Sequence, residues 1–112
     1  MNTIPKLSFL PPEIHETMVV DEIDLGHTAD QAIAPFKGSK WVVKPNEWSP
    51  LDIHDVRECW FIASGTGIVT YKEEFKEAVK AGDVLYFNSQ ESHKVFNNGT
   101  EDLLVFSVWW QQ

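Results

Sequence analysis

The stretch Asp52-Ile-His54-Asp-Val-Arg-Glu58-Cys-Trp-Phe-Ile-Ala-Ser-Gly65 decides how this chain is read. Side chains on a strand alternate between faces, so residues two and six apart point the same way. On a central strand expected over residues 53–63, Asp52, His54 and Glu58 share one face with Trp60, while Asp55, Arg57 and Cys59 take the other. A second stretch, Gly82-Asp-Val-Leu-Tyr-Phe-Asn88-Ser-Gln90-Glu-Ser-His93-Lys-Val-Phe-Asn97, supplies a further imidazole, His93. Two imidazoles and two carboxylates are a donor set for Fe, Mn or Zn, with Ni also possible. Carboxylates enclosed in a barrel are costly unless paired or metal-bound, which favours a ligand role over a merely structural one.

Working outward, short β-forming runs lie at residues 40–44, 68–71, 84–87, 93–97 and 103–110, the last an apolar run broken only by Ser107. Asn97-Asn98-Gly99 reads as a hairpin turn and Gly65-Thr66-Gly67 as another turn. The charged run 72–80, with Phe75 and Val79 as its apolar punctuation, is expected to be an exposed hairpin, with a helix as the rival reading. Residues 12–25 allow either a helical turn after Pro12 or an edge strand. Periodicity alone gives an all-β sandwich or barrel.

The balance of 17 Asp and Glu against 9 Lys and Arg argues against nucleic acid and against an anionic membrane surface, since both need clustered positive charge. No apolar run is long enough to span a bilayer, and the first residues lack the apolar core of a signal peptide, so a cytoplasmic location is the expectation. Cys59 is the single cysteine, which excludes an internal disulfide and a Cys-based zinc site. Gly-rich phosphate loops and nucleophilic-serine motifs are absent from the sequence.

The two stretches resemble the two cupin motifs, Gly-x5-His-x-His-x3,4-Glu-x6-Gly and Gly-x5-Pro-x-Gly-x2-His-x3-Asn. His54, Glu58, Gly65, Gly82, His93 and Asn97 fall at the family spacing. Asn46 stands for the leading Gly, Asp52 for the first ligand His, and Asn88 and Gln90 for the Pro and Gly of the second motif. The resemblance implies a double-stranded β-helix, or jelly-roll barrel, over residues 39–112, with residues 1–38 as an extension packed on it. It implies a divalent metal inside the barrel and, as small cupins commonly show, a homodimer.

Asp52 either takes the place of the missing His on the metal or caps the strand start. Glu58 is the stronger carboxylate ligand and the candidate proton carrier. Trp60 and Tyr86 are candidates for the substrate pocket, and Asn97 for a structural or ligand-supporting role. The expected function is metal-dependent chemistry on a small organic acid, sugar derivative or biosynthetic intermediate. The alternatives are a non-catalytic sensor of a small ligand, and a cupin that couples nitrogen centres beside a synthetase-like partner, to which the Leu103–Trp110 end is similar.

Overall fold

In the computed structural model, which describes residues 4–111, the chain forms nine strands and, among those residues, no helix. They are β1 (Glu13–His15), β2 (Met18–Glu22), β3 (Lys37–Val43), β4 (Arg57–Ser64), β5 (Thr66–Tyr71), β6 (Phe75–Lys80), β7 (Val84–Phe87), β8 (His93–Phe96) and β9 (Leu103–Trp110). Six pair in the order β1-β2-β3-β9-β4-β7, and three in the order β6-β5-β8. Every named pairing is antiparallel.

Alternation along the strands builds the core between the sheets. Trp41 and Val43 from β3, Trp60 and Ile62 from β4, and Leu103 and Val105 from β9 meet Val69, Val79 and Val95 from the smaller sheet. The Trp60 ring is central, with Trp41 at 4.8 Å and Phe87 at 4.7 Å, both edge-on. Aromatic pairs of that geometry add to the stabilisation from burial.

Two local readings change and one open reading is settled. The expected strand over 53–63 enters its ladder only at Arg57. The residues before it run irregularly along β8 instead: Ser49 N donates to Val95 O at 2.8 Å, and Asp52 and His93 exchange N–H···O bonds of 3.0 and 2.9 Å. Asn97-Asn98-Gly99 turns the chain but makes no hairpin, because β8 pairs with β5 while β9 pairs with β3 and β4. The turn carries the chain from one sheet to the other. Residues 12–25 form the hairpin β1–β2, whose second strand extends the large sheet through Val20↔Trp41 and Glu22↔Ser39. The run 72–80 supplies the turn and the second strand of the hairpin β5–β6, with Lys72 and Glu73 at φ 56° and 58° in the turn.

Gly65 shows why one crossing needs glycine. Its φ is 88°, and a Cβ there would lie 2.7 Å from Asp102 O and 2.9 Å from Leu103 Cα.

Asn97 pins another crossing. Fully buried, it donates from Nδ2 to Val43 O and Glu101 O at 2.8 Å each and accepts from Gly99 N at 2.9 Å. These are backbone partners, so its observed task is to hold the β8–β9 crossing rather than to support a metal ligand. Asn97→Ala leaves the buried Val43 carbonyl and the partly buried Glu101 carbonyl short of a donor and should lower unfolding free energy by about 3 kcal/mol in urea titration. An unchanged midpoint would show that the crossing holds without it.

Candidate metal centre

The large sheet and the β8 ladder bring four donors together. Glu58, on the inner face of β4, and His93, the first residue of β8, are both buried. His54 and Asp52 come from the irregular segment before β4, and Asp52 is held beside His93 by their backbone bridge. One ligand atom from each of the four lies within 4.8 Å of all the others. The shared parity of Asp52, His54 and Glu58 thus has a different origin from the one expected, since only Glu58 belongs to β4.

Backbone carbonyls orient both imidazoles. His54 Nδ1 lies 3.2 Å from Val56 O, and His93 Nδ1 lies 3.0 Å from Glu91 O. A carbonyl only accepts, so each Nδ1 carries the hydrogen, and each Nε2 of the neutral ring presents a lone pair. Both Nε2 atoms lie 3.1 Å from the same oxygen, Glu58 Oε1. Two lone pairs directed at one carboxylate oxygen repel unless positive charge sits among them, either as protons on the rings or as a cation. With protons on the rings, burial pushes the Glu58 carboxyl up, but the hydrogen bonds and positive charge of His93, joined by those of His54, outweigh it and hold the group below the ordinary carboxylate range.

The donor set fits a divalent ion. With ligand bonds of about 2.1 Å, neighbouring donors around a six-coordinate ion stand about 3 Å apart, close to the His–Glu separations. Asp52 Oδ2 is the outlying donor, 3.6 Å from His54 Nε2 and 3.8 Å from His93 Nε2, with its side chain half exposed. The supporting residues are arranged around His93. The Glu91 carboxylate accepts from Asn88 N at 3.0 Å, pairs with Lys72 at 3.3 Å and accepts from the Tyr71 hydroxyl. That last bond, the leading cause, pushes the Tyr71 phenol up to about 12 and keeps it protonated. Phe87 stacks on the His93 ring at 4.1 Å. Asn46 and Gln90, at φ 64° and 65°, keep the left-handed turns that glycine would occupy in the motif pattern.

A cavity of about 450 Å³ opens beside the cluster, lined by Asp52, His54 and Glu58 and walled by Trp41, Trp60 and Trp109. Trp60 lines it. Tyr86 does not: it pairs with Cys59 on the outward face, is half exposed and bonds Asn88 Oδ1 at 3.2 Å. The missing information was the orientation of β7 relative to β4. Ser39, Ser107, Trp109 and His15 line the cavity without having been singled out. A serine inside the apolar run of β9 was the readable signal for Ser107. For His15 there was none, because its place depends on the β1–β2 hairpin folding back over the sheet.

Comparison with known proteins agrees with this architecture. A family model described as "Cupin domain" matches residues 39–109. A protein from Photorhabdus luminescens is similar at 23% identity and TM-score 0.79, over 100% of this chain and 90% of that one. A cupin 2 conserved barrel domain protein from Salinispora arenicola is similar at 25% identity and TM-score 0.78, over 99% and 89%. A predicted oxalate decarboxylase from Thermotoga maritima is similar at 22% identity and TM-score 0.72, over 85% and 81%. With seven of the nine strands lying wholly or mostly inside the matched span and both motif blocks at the cluster, this chain belongs to the cupin family.

Proposed function

We propose that this protein is a metal-dependent enzyme acting on a small organic molecule in the barrel cavity, its divalent ion held by His54, His93, Glu58 and Asp52. The observation that carries the reading is the pair of imidazole lone pairs facing Glu58 Oε1 at the wall of a cavity of about 450 Å³. Fe(II), Mn(II) and Zn(II) suit two imidazoles and two carboxylates, and Ni(II) is a further candidate. Such an ion would polarise a carbonyl or enolate oxygen or activate water.

The chain's own groups define the remaining chemistry. His54 and His93 are fixed donors, because their Nδ1 bonds leave the rings no freedom to turn. Glu58 Oε1 is engaged by both rings, while Oε2 accepts no hydrogen bond among the described residues. Oε2 is therefore the atom placed to take a proton from a substrate in the cavity and return it.

A second copy of the chain is the partner we propose. Phe61, Val84 and Phe106 lie opposite one another in the ladders of β7, β4 and β9, and with Tyr86 they are exposed on the outer face of the large sheet. The extension's β2 is already paired to its own β3, and this apolar face is the surface we propose for an isologous contact. Light scattering should give a dimer and Phe61→Lys a monomer. A dilution-stable parent monomer would remove the idea.

Three measurements test the metal and its use. Protein purified without chelator or affinity metal should contain one divalent ion per chain, and His54→Ala and His93→Ala should lose it while remaining folded. Full metal content in both variants would show that the site is wrongly placed. Asp52→Ala should weaken metal binding less than either His variant, about tenfold, and affinity equal to the parent would leave the ion to the other three donors. Turnover lost on metal removal and restored on reloading would support an enzyme, whereas ligand binding without turnover would mark a sensor.

A further inference from the structure

Charge and donor placement in the cavity define what it can hold, given the metal reading above. Among the described residues lining it there is no lysine or arginine. Arg57, the chain's single arginine, pairs with Trp110 on the alternation opposite Glu58 and Trp60. The carboxylates of Asp52 and Glu58 together cancel the charge of a divalent ion. The loaded cavity therefore offers no net positive charge to a small dianion.

The far wall carries donors in want of an acceptor. Ser39 on β3, Ser107 on β9 and Trp60 on β4 form one row across three paired strands. All three are more than nine-tenths buried. Trp41 Nε1 donates to Ser107 Oγ at 3.2 Å, and the two serine hydroxyls share one hydrogen bond of 3.1 Å. Whichever serine donates in that bond, the hydroxyl hydrogen of the other has no acceptor among the described residues. Trp60 Nε1 is likewise buried with no partner. Unmatched buried donors cost stability unless a ligand or water accepts from them.

The spacing sets the ligand's length. Glu58 and Trp109 face each other two residues along the same strands from Trp60 and Ser107, so the donor row lies about 7 Å from the carboxylate row. Met18, Val20, Trp41 and Trp109 supply apolar walls between them. We propose that the cavity selects a ring-bearing small molecule of at most one negative charge. One end chelates the ion at the His54–Glu58–His93 cluster. An uncharged oxygen at the other end accepts from the Ser39–Ser107 pair. Small dianions such as oxalate are disfavoured.

Zn(II)-loaded protein titrated calorimetrically with acetohydroxamate, benzohydroxamate, 4-hydroxybenzohydroxamate and oxalate tests this, with retained zinc measured after each titration. The ring should tighten binding about tenfold over acetohydroxamate, and the 4-hydroxyl about fivefold more. Oxalate should bind no more tightly than acetohydroxamate. The double variant Ser39→Ala/Ser107→Ala should lose the gain from the 4-hydroxyl but keep the gain from the ring; if it does not fold, the parent series decides alone. Equal affinity for the three hydroxamates, or tighter binding of oxalate, would overturn the proposal while leaving the metal site intact. Protein that retains no zinc and binds no acetohydroxamate would overturn the metal reading and this one with it.

Discussion

Two backbone carbonyls, Val56 O and Glu91 O, fix the chemistry of the barrel interior. By taking the Nδ1 hydrogens of His54 and His93 they turn both Nε2 lone pairs toward Glu58 Oε1. That arrangement is repulsive on its own and favourable around a cation. Much of the surrounding structure serves it. The Asp52–His93 bridge ties the segment before β4 to β8, the Glu91 carboxylate is anchored from Asn88, Lys72 and Tyr71, and Phe87 stacks on the His93 ring.

Asp52 gives the site its particular character. It stands where the motif pattern has a histidine, so it adds negative charge to the cluster. It is also the outermost and most exposed of the four donors. A second carboxylate tightens the hold on a hard divalent ion and at the same time lowers the attraction for anionic substrates. The chain shares its fold with a predicted oxalate decarboxylase, yet its cavity is walled by tryptophans and lined by no fixed cation among the described residues. Likeness of fold does not by itself carry likeness of substrate; the lining of the cavity has to decide that.

The cluster was legible in the sequence because metal ligation demands particular residue types at particular intervals. His54, Glu58 and His93 could be named from spacing. Asp52 was named through an argument from strand parity that the structure replaces with a backbone bridge to His93. What could not be read depended on contacts between distant segments. Which sheet each strand joins after Asn97-Asn98-Gly99 is settled by the pairing of β9 with β3 and β4, and the outward position of Tyr86 by the β4–β7 register. The pocket role of Ser39 and Ser107 appears only when β3 and β9 lie side by side. The N-terminal hairpin was undecidable from periodicity, since Met18–Glu22 is half-buried along its whole length and shows no alternation.

The central claim is that the imidazoles of His54 and His93 are locked with hydrogen on Nδ1 and lone pairs on Nε2, poised to bind an ion with Glu58. Long-range ¹⁵N–¹H correlation spectra of histidine-labelled protein, recorded with and without one equivalent of Zn(II), measure this directly. The account predicts that both rings carry hydrogen on Nδ1 in the loaded protein and that only their Nε2 resonances move as zinc is added. Hydrogen on Nε2 of either ring in the presence of zinc, or spectra unchanged by the ion, would contradict it.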